Sequence, residues 1–178
     1  MKRYAVKAGT LGGVIFFVTI SFALGALAAE KKKFVYVSKG EKMSSSANLH
    51  DSNDLKNKIT QWSRPAIIIE HTDPSLIGSE QTMHGQSNYS AYMDREAKGF
   101  SRGYTITKSK DGDCFYSKWE STWGVINLEH ANWETNEEVK FQIIGGTGKY
   151  TNAKGSGSCQ SKGNPKGVNA KCEGEWEF

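Results

Sequence analysis

Histidines, cysteines and a run of C-terminal glutamates are the side chains of this sequence best suited to chemistry, and their spacing limits what they can do. His50, His71, His84 and His130 form no His-x-x-x-His or His-Glu-x-x-His pair, and Cys114, Cys159 and Cys172 form no Cys-x-x-Cys pair, so no metal site is expected. Asp111 and Asp113 lack the further acids and terminal Glu of an EF-hand loop. Gly145-Gly146-Thr147-Gly148-Lys149-Tyr150 is not a phosphate loop: Ile143 stands where a Walker loop needs its first glycine, and Tyr150 where it needs Ser or Thr. Thr151 fills the third glycine position of a dinucleotide fingerprint, so no cofactor is expected either. Glu173, Glu175 and Glu177 alternate along one strand. Turned inward, Glu175 is a weak catalytic candidate, because burial raises a carboxylate pKa toward acid–base use. Three carboxylates on one face repel unless water screens them, which favours a solvated face.

Two of the cysteines become useful only if the chain is exported. Lys2, Arg3 and Lys7 precede an uncharged run from Ala8 to Ala29 that ends in Ala26-Leu27-Ala28, the layout of a secretory signal peptide cut after Ala28. An uncleaved membrane anchor is the alternative, since the run is long enough to span a bilayer. Of the 23 basic residues, Lys2, Arg3 and Lys7 lie in residues 1–28, against none of the 19 acidic ones, so the mature chain is close to charge balance. That leaves no electrostatic footprint for nucleic acid, and no membrane contact is expected after cleavage. A periplasmic or secreted location follows, where disulfides persist.

The elements that would position these residues are strands. Residues 29–65 are expected to hold a first strand at Phe34-Val35-Tyr36-Val37, a mobile loop over 39–53 and a short helix over 51–60. Residues 66–178 read as short strands separated by turn residues, the signature of an all-β, closed antiparallel barrel of about eight strands. With Asp111-Gly112 as a two-residue turn, Lys108 faces Phe115, Ile106 faces Ser117 and Tyr104 faces Trp119. One face then collects Phe100, Tyr104, Ile106, Phe115, Trp119 and Trp123, of which the last five are candidate cavity-lining residues. Cys114 falls on the opposite, solvated face, free or paired with another chain. At the last hairpin, a turn centred between Pro165 and Lys166 sets Cys159 across from Cys172, close enough for a disulfide, with two separate buried thiols as the alternative. The same register puts Trp176 on the cysteine face, as a further lining candidate, and Glu173, Glu175 and Glu177 opposite it. Gly157 then faces Gly174, a bare floor for Trp176 to cover or a ligand to occupy.

Asp111-Gly112-Asp113 with Phe115 to Glu120, and Phe141 to Tyr150 with the Gly155-x-Gly157 that follows, resemble the allene oxide cyclase-like (calycin-like) barrels, in particular small secreted bacterial members of unassigned function. The resemblance covers roughly Gly78 to Phe178. It implies an eight-stranded barrel with a small apolar cavity and carries over no reaction. The leading expectation is an exported barrel that binds a small apolar or amphipathic molecule. A cyclase- or isomerase-like enzyme using the same cavity, and a structural or protein-interaction barrel, are the alternatives.

Overall fold

The computed structural model describes residues 30–41, 45–51, 58–91, 97–127, 134–164 and 166–178. The expected signal segment and His130 lie outside them. Among the described residues the strands are β1 (Lys32–Gly40), β2 (Ser45–Asp51), β3 (Lys58–His71), β4 (Glu80–Ala91), β5 (Ala97–Lys108), β6 (Cys114–Asn127), β7 (Glu134–Gly146), β8 (Lys154–Asn164) and β9 (Gly167–Glu177). The only helical pieces there are 3₁₀ turns at Pro74–Leu76 and Gly148–Tyr150. Each strand from β3 to β9 pairs antiparallel with the next; β1 then pairs with β9 on one side and β3 on the other, closing an eight-stranded barrel. No described helix is long and apolar enough to cross a membrane.

β2 lies where a mobile loop was expected, and it continues the line of β1 along β3. Gly40 pairs with Ala66 and Ser45 with Ser63, so the chain breaks step between them, opposite Pro65. The Pro65 carbonyl accepts from Glu41 N (3.0 Å) on that side. In an extended residue N and C=O point the same way, so the nitrogen that lacks a hydrogen faces the break, where no ladder bond is lost. The expected helix over 51–60 is strand at both ends, in β2 and β3, and residues 52–57 lie outside the described residues.

One continuous row of partners runs round the wall: Trp62 with Gly85, Gly85 with Gly103, Gly103 with Trp119, Trp119 with Phe141, Phe141 with Gly157, Gly157 with Gly174, and Gly174 with Phe34. Aromatic rings alternate with glycine pairs because each ring lies flat across the neighbouring glycine. A Cβ on Gly85 would sit 2.5 Å from the Trp62 ring, one on Gly157 2.5 Å from Phe141, and one on Gly174 2.8 Å from Phe34. The Gly157–Gly174 floor is thus covered by Phe141 and Phe34, whereas Trp176 pairs across from Gly155.

The β5–β6 register differs by one residue from the two-residue turn. Lys108 pairs with Cys114, Thr107 with Phe115 and Gly103 with Trp119. Ser109 N donates to the Asp113 carbonyl (2.9 Å) and Gly112, at φ 95°, follows a turn closed by its N–H on the Ser109 carbonyl (3.0 Å). That is a three-residue loop ending in a left-handed glycine. The extra residue flips every β5 side chain. Ser101, Thr105 and Thr107 point inward, while Phe100, Tyr104 and Ile106 are exposed, correcting the expected face of this strand. The β6 side chains keep theirs: Phe115 and Trp119 are buried.

The last hairpin has the expected register, Asn164 pairing with Gly167 and Cys159 with Cys172, and the two cysteines are joined. A loop of this length closed by a disulfide stabilises a fold by roughly 3 kcal/mol. Cys114 is a free, half-buried thiol.

The two segments singled out in sequence meet at one rim. Lys149 Nζ pairs with Asp111 Oδ2 (2.6 Å), Lys149 N donates to Asp113 Oδ2 (3.1 Å), and Thr147 Oγ1 accepts from Cys114 N (2.9 Å). With Ser109 also donating to it, the Asp111 carboxyl is held down at about 2, chiefly by the Lys149 hydrogen bond. Both motifs serve as a clamp between turns.

Candidate ligand cavity

The barrel interior has two chemically different ends. At the clamped rim, Phe34, Phe115 and Phe178 pack edge to face on Trp176, at 5.4, 5.5 and 4.7 Å, and Tyr150 stacks on it at 5.9 Å. His71 stacks on Phe34 (5.9 Å) and Tyr36 (5.8 Å) and accepts from Asp73 N at Nδ1 (2.8 Å). Burial lowers its pKa, partly offset by Asp73, and pushes the Tyr36 phenol up to about 12.

The other end is polar. Trp62 Nε1 donates to Ser87 Oγ (2.7 Å), which lies 2.8 Å from Ser101 Oγ; Trp123 Nε1 donates to Ser101 as well (2.9 Å). Glu137 takes one hydroxyl on each oxygen, Ser121 at 2.5 Å and Ser161 at 3.1 Å. Arg64 lies over the Trp62 ring, its Cζ 5.4 Å from the centroid. Burial lowers the Arg64 pKa, and the Glu137 carboxylate opposes that shift.

Between the ends lies a cavity of about 70 Å³, walled by Trp119, Phe141, Met83, Thr105, Ala170 and the Cys159–Cys172 pair, with Arg64, Glu137 and His71 also reaching it. About 10–15 Å³ of such space is enough for one water, so the cavity fits a molecule of a few heavy atoms. Hydroxyl donors, a cation, an anion and aromatic faces converge there, an arrangement able to orient a small polar group against an apolar wall.

Of the sequence candidates, Phe115, Trp119 and Trp176 line this cavity. Tyr104 and Ile106 point outward, and Trp123 is half-buried in the polar end, outside the cavity wall. Glu175 sits outside, its side chain 45 % exposed and paired with Lys31 (2.8 Å), which lowers its pKa. His71 and His84 do not converge: His84 is exposed on the outer wall. The side chain of His50 is outside the described residues. Arg64 and Glu137 are the charged cavity residues that sequence reading passed over. Their signal is phase, for Arg64 shares a strand face with Trp62 and Ala66, and Glu137 with Val139 and Phe141.

No protein-family model matches the chain, and no curated protein does. Among solved structures, the chain is similar to a protein of unknown function from Clostridium acetobutylicum ATCC 824, with 11 % identity and a TM-score of 0.43 over 82 % of this chain and 98 % of that one.

Proposed function

We propose that the chain is an exported barrel of the allene oxide cyclase-like kind that binds a small amphipathic molecule in its interior. The observation that carries this reading is the placement of Arg64 and Glu137 inside an otherwise aromatic and hydroxyl-lined cavity. Taking a guanidinium and a carboxylate even partly out of water costs free energy, and apolar residues of similar volume would fill a purely structural barrel at least as stably. A charged end opposite an aromatic end is what an amphipathic ligand needs. The disulfide supports export, because such bonds persist in oxidising compartments. The same two groups also favour the second reading, a cyclase- or isomerase-like enzyme, since a carboxylate able to accept a proton and a fixed cation able to stabilise developing negative charge reach one cavity.

Native mass spectrometry of the exported protein tests the binding reading. The expected spectrum shows a chain beginning near Ala29 with a small adduct that is lost on denaturation. A bare chain that also excludes xenon, which enters accessible apolar cavities, would mean that the barrel is only a scaffold.

A further inference from the structure

We infer that the molecule held here is a small uncharged carbonyl compound whose oxygen accepts hydrogen bonds from Arg64 Nε and Trp119 Nε1; this rests on the cavity reading above. Among the described residues, three buried side-chain polar atoms have no hydrogen-bond partner: Arg64 Nε, Trp119 Nε1 and Ser79 Oγ. Arg64 and Trp119 belong to the wall of the same cavity, and Ser79 does not. Both pack against one ring, for Arg64 Cζ is 5.4 Å and the Trp119 centroid 5.6 Å from the Trp62 centroid. The Trp62 N–H itself is satisfied by Ser87. Buried donors left unpaired are costly, and both of these groups can only donate. The missing partner is therefore an acceptor.

Charge selects among acceptors. Glu137 already places a carboxylate at this cavity, its two oxygens accepting from Ser121 and Ser161. A carboxylate ligand would place a second anion beside that one in a largely apolar space, whereas a ketone, aldehyde or ester oxygen meets both donors and adds no charge. An alcohol brings a donor that itself needs an acceptor. The alkyl part of the carbonyl compound lies against Phe141, Val139 and Ala170, and the cavity volume holds it to the size of a short-chain ketone.

The experiment titrates butan-2-one, propionate and xenon in turn into the ¹⁵N-labelled, disulfide-intact mature protein, with the indole N–H resonances as readout. Butan-2-one is expected to move the Trp119 Nε1–H resonance saturably, to leave that of Trp62 in place, and to bind roughly 10- to 100-fold more tightly than propionate. Trp119→Phe, which keeps a ring and removes the donor, is expected to weaken ketone binding about tenfold and to leave xenon binding intact. The double variant Arg64→Met/Glu137→Gln removes the other donor without stranding a buried charge and is expected to show the same selective loss. If xenon enters but the ketone leaves Trp119 unmoved, or propionate binds as well as the ketone, the carbonyl inference is overturned and the cavity reading stands. Exclusion of all three probes overturns both.

Discussion

Tyr36 and His71 stack on each other inside the barrel, and burial shifts their titrations in opposite directions, which gives the fold a stability limit at each end of the pH scale. The phenol titrates near 12 in the folded protein against 10.0 in the unfolded chain. Above pH 10 the unfolded state releases this proton first, so it binds fewer protons than the folded state and stability falls as pH rises through that window, by about 2–3 kcal/mol in all. For His71 the folded pKa lies below 6.5, so on acidification the unfolded chain takes up the proton first. Its contribution is complete above pH 6.5 and declines as pH falls toward the folded pKa. Urea unfolding midpoints measured across pH are expected to show both slopes. Tyr36→Phe should flatten the alkaline one, and an unchanged alkaline slope in that variant would remove Tyr36 from the account.

At the level of elements, the β5–β6 hairpin contains two glycines with opposite requirements. Gly103 lies in the aromatic–glycine row, where a Cβ would collide with the His84 carbonyl oxygen and come within 2.7 Å of the Trp119 ring. Backbone of the next strand cannot yield as a side chain does, so Gly103→Ala is expected to cost on the order of 3 kcal/mol or more. Gly112 has open space around it but a φ of 95°. Its replacement by Ala costs only the left-handed strain, about 1 kcal/mol. Chemical denaturation of the two variants separates these mechanisms, and equal losses would show that the row is not a close-packed contact. This hairpin is also where sequence and structure part. Asp111-Gly112 announces a turn plainly, but two- and three-residue loops use the same dipeptide, and one residue of difference reverses a whole strand. The β8–β9 hairpin carries no such ambiguity: its turn places Cys159 against Cys172 and leaves Glu175 outside, as its residues indicate.

For the whole molecule, closure depends on β1. It is paired with β9 from Lys32–Trp176 to Gly40–Val168, yet with β3 only from Tyr36–His71 to Gly40–Ala66, with a bulge after Val37. Fewer ladder bonds make that seam the place where the barrel opens most readily. Hydrogen exchange is expected to show β3 amides that face β1 exchanging ahead of those in β6 and β7, and uniform protection round the barrel would contradict this. The β class, the short strands and the register of the last hairpin were legible in the sequence, because turn residues and period-two patterning act locally; that register put Cys159 opposite Cys172, and the structure joins them and turns Glu175 outward. Which β5 face is buried, the row of rings over glycines, and the convergence of Arg64, Glu137 and Trp119 on one space were decided only by tertiary structure. Alternation says which side chains share a face, but a charged residue in phase with core residues becomes an interior group only when the sheet closes, and closure depends on pairings between strands far apart in the chain.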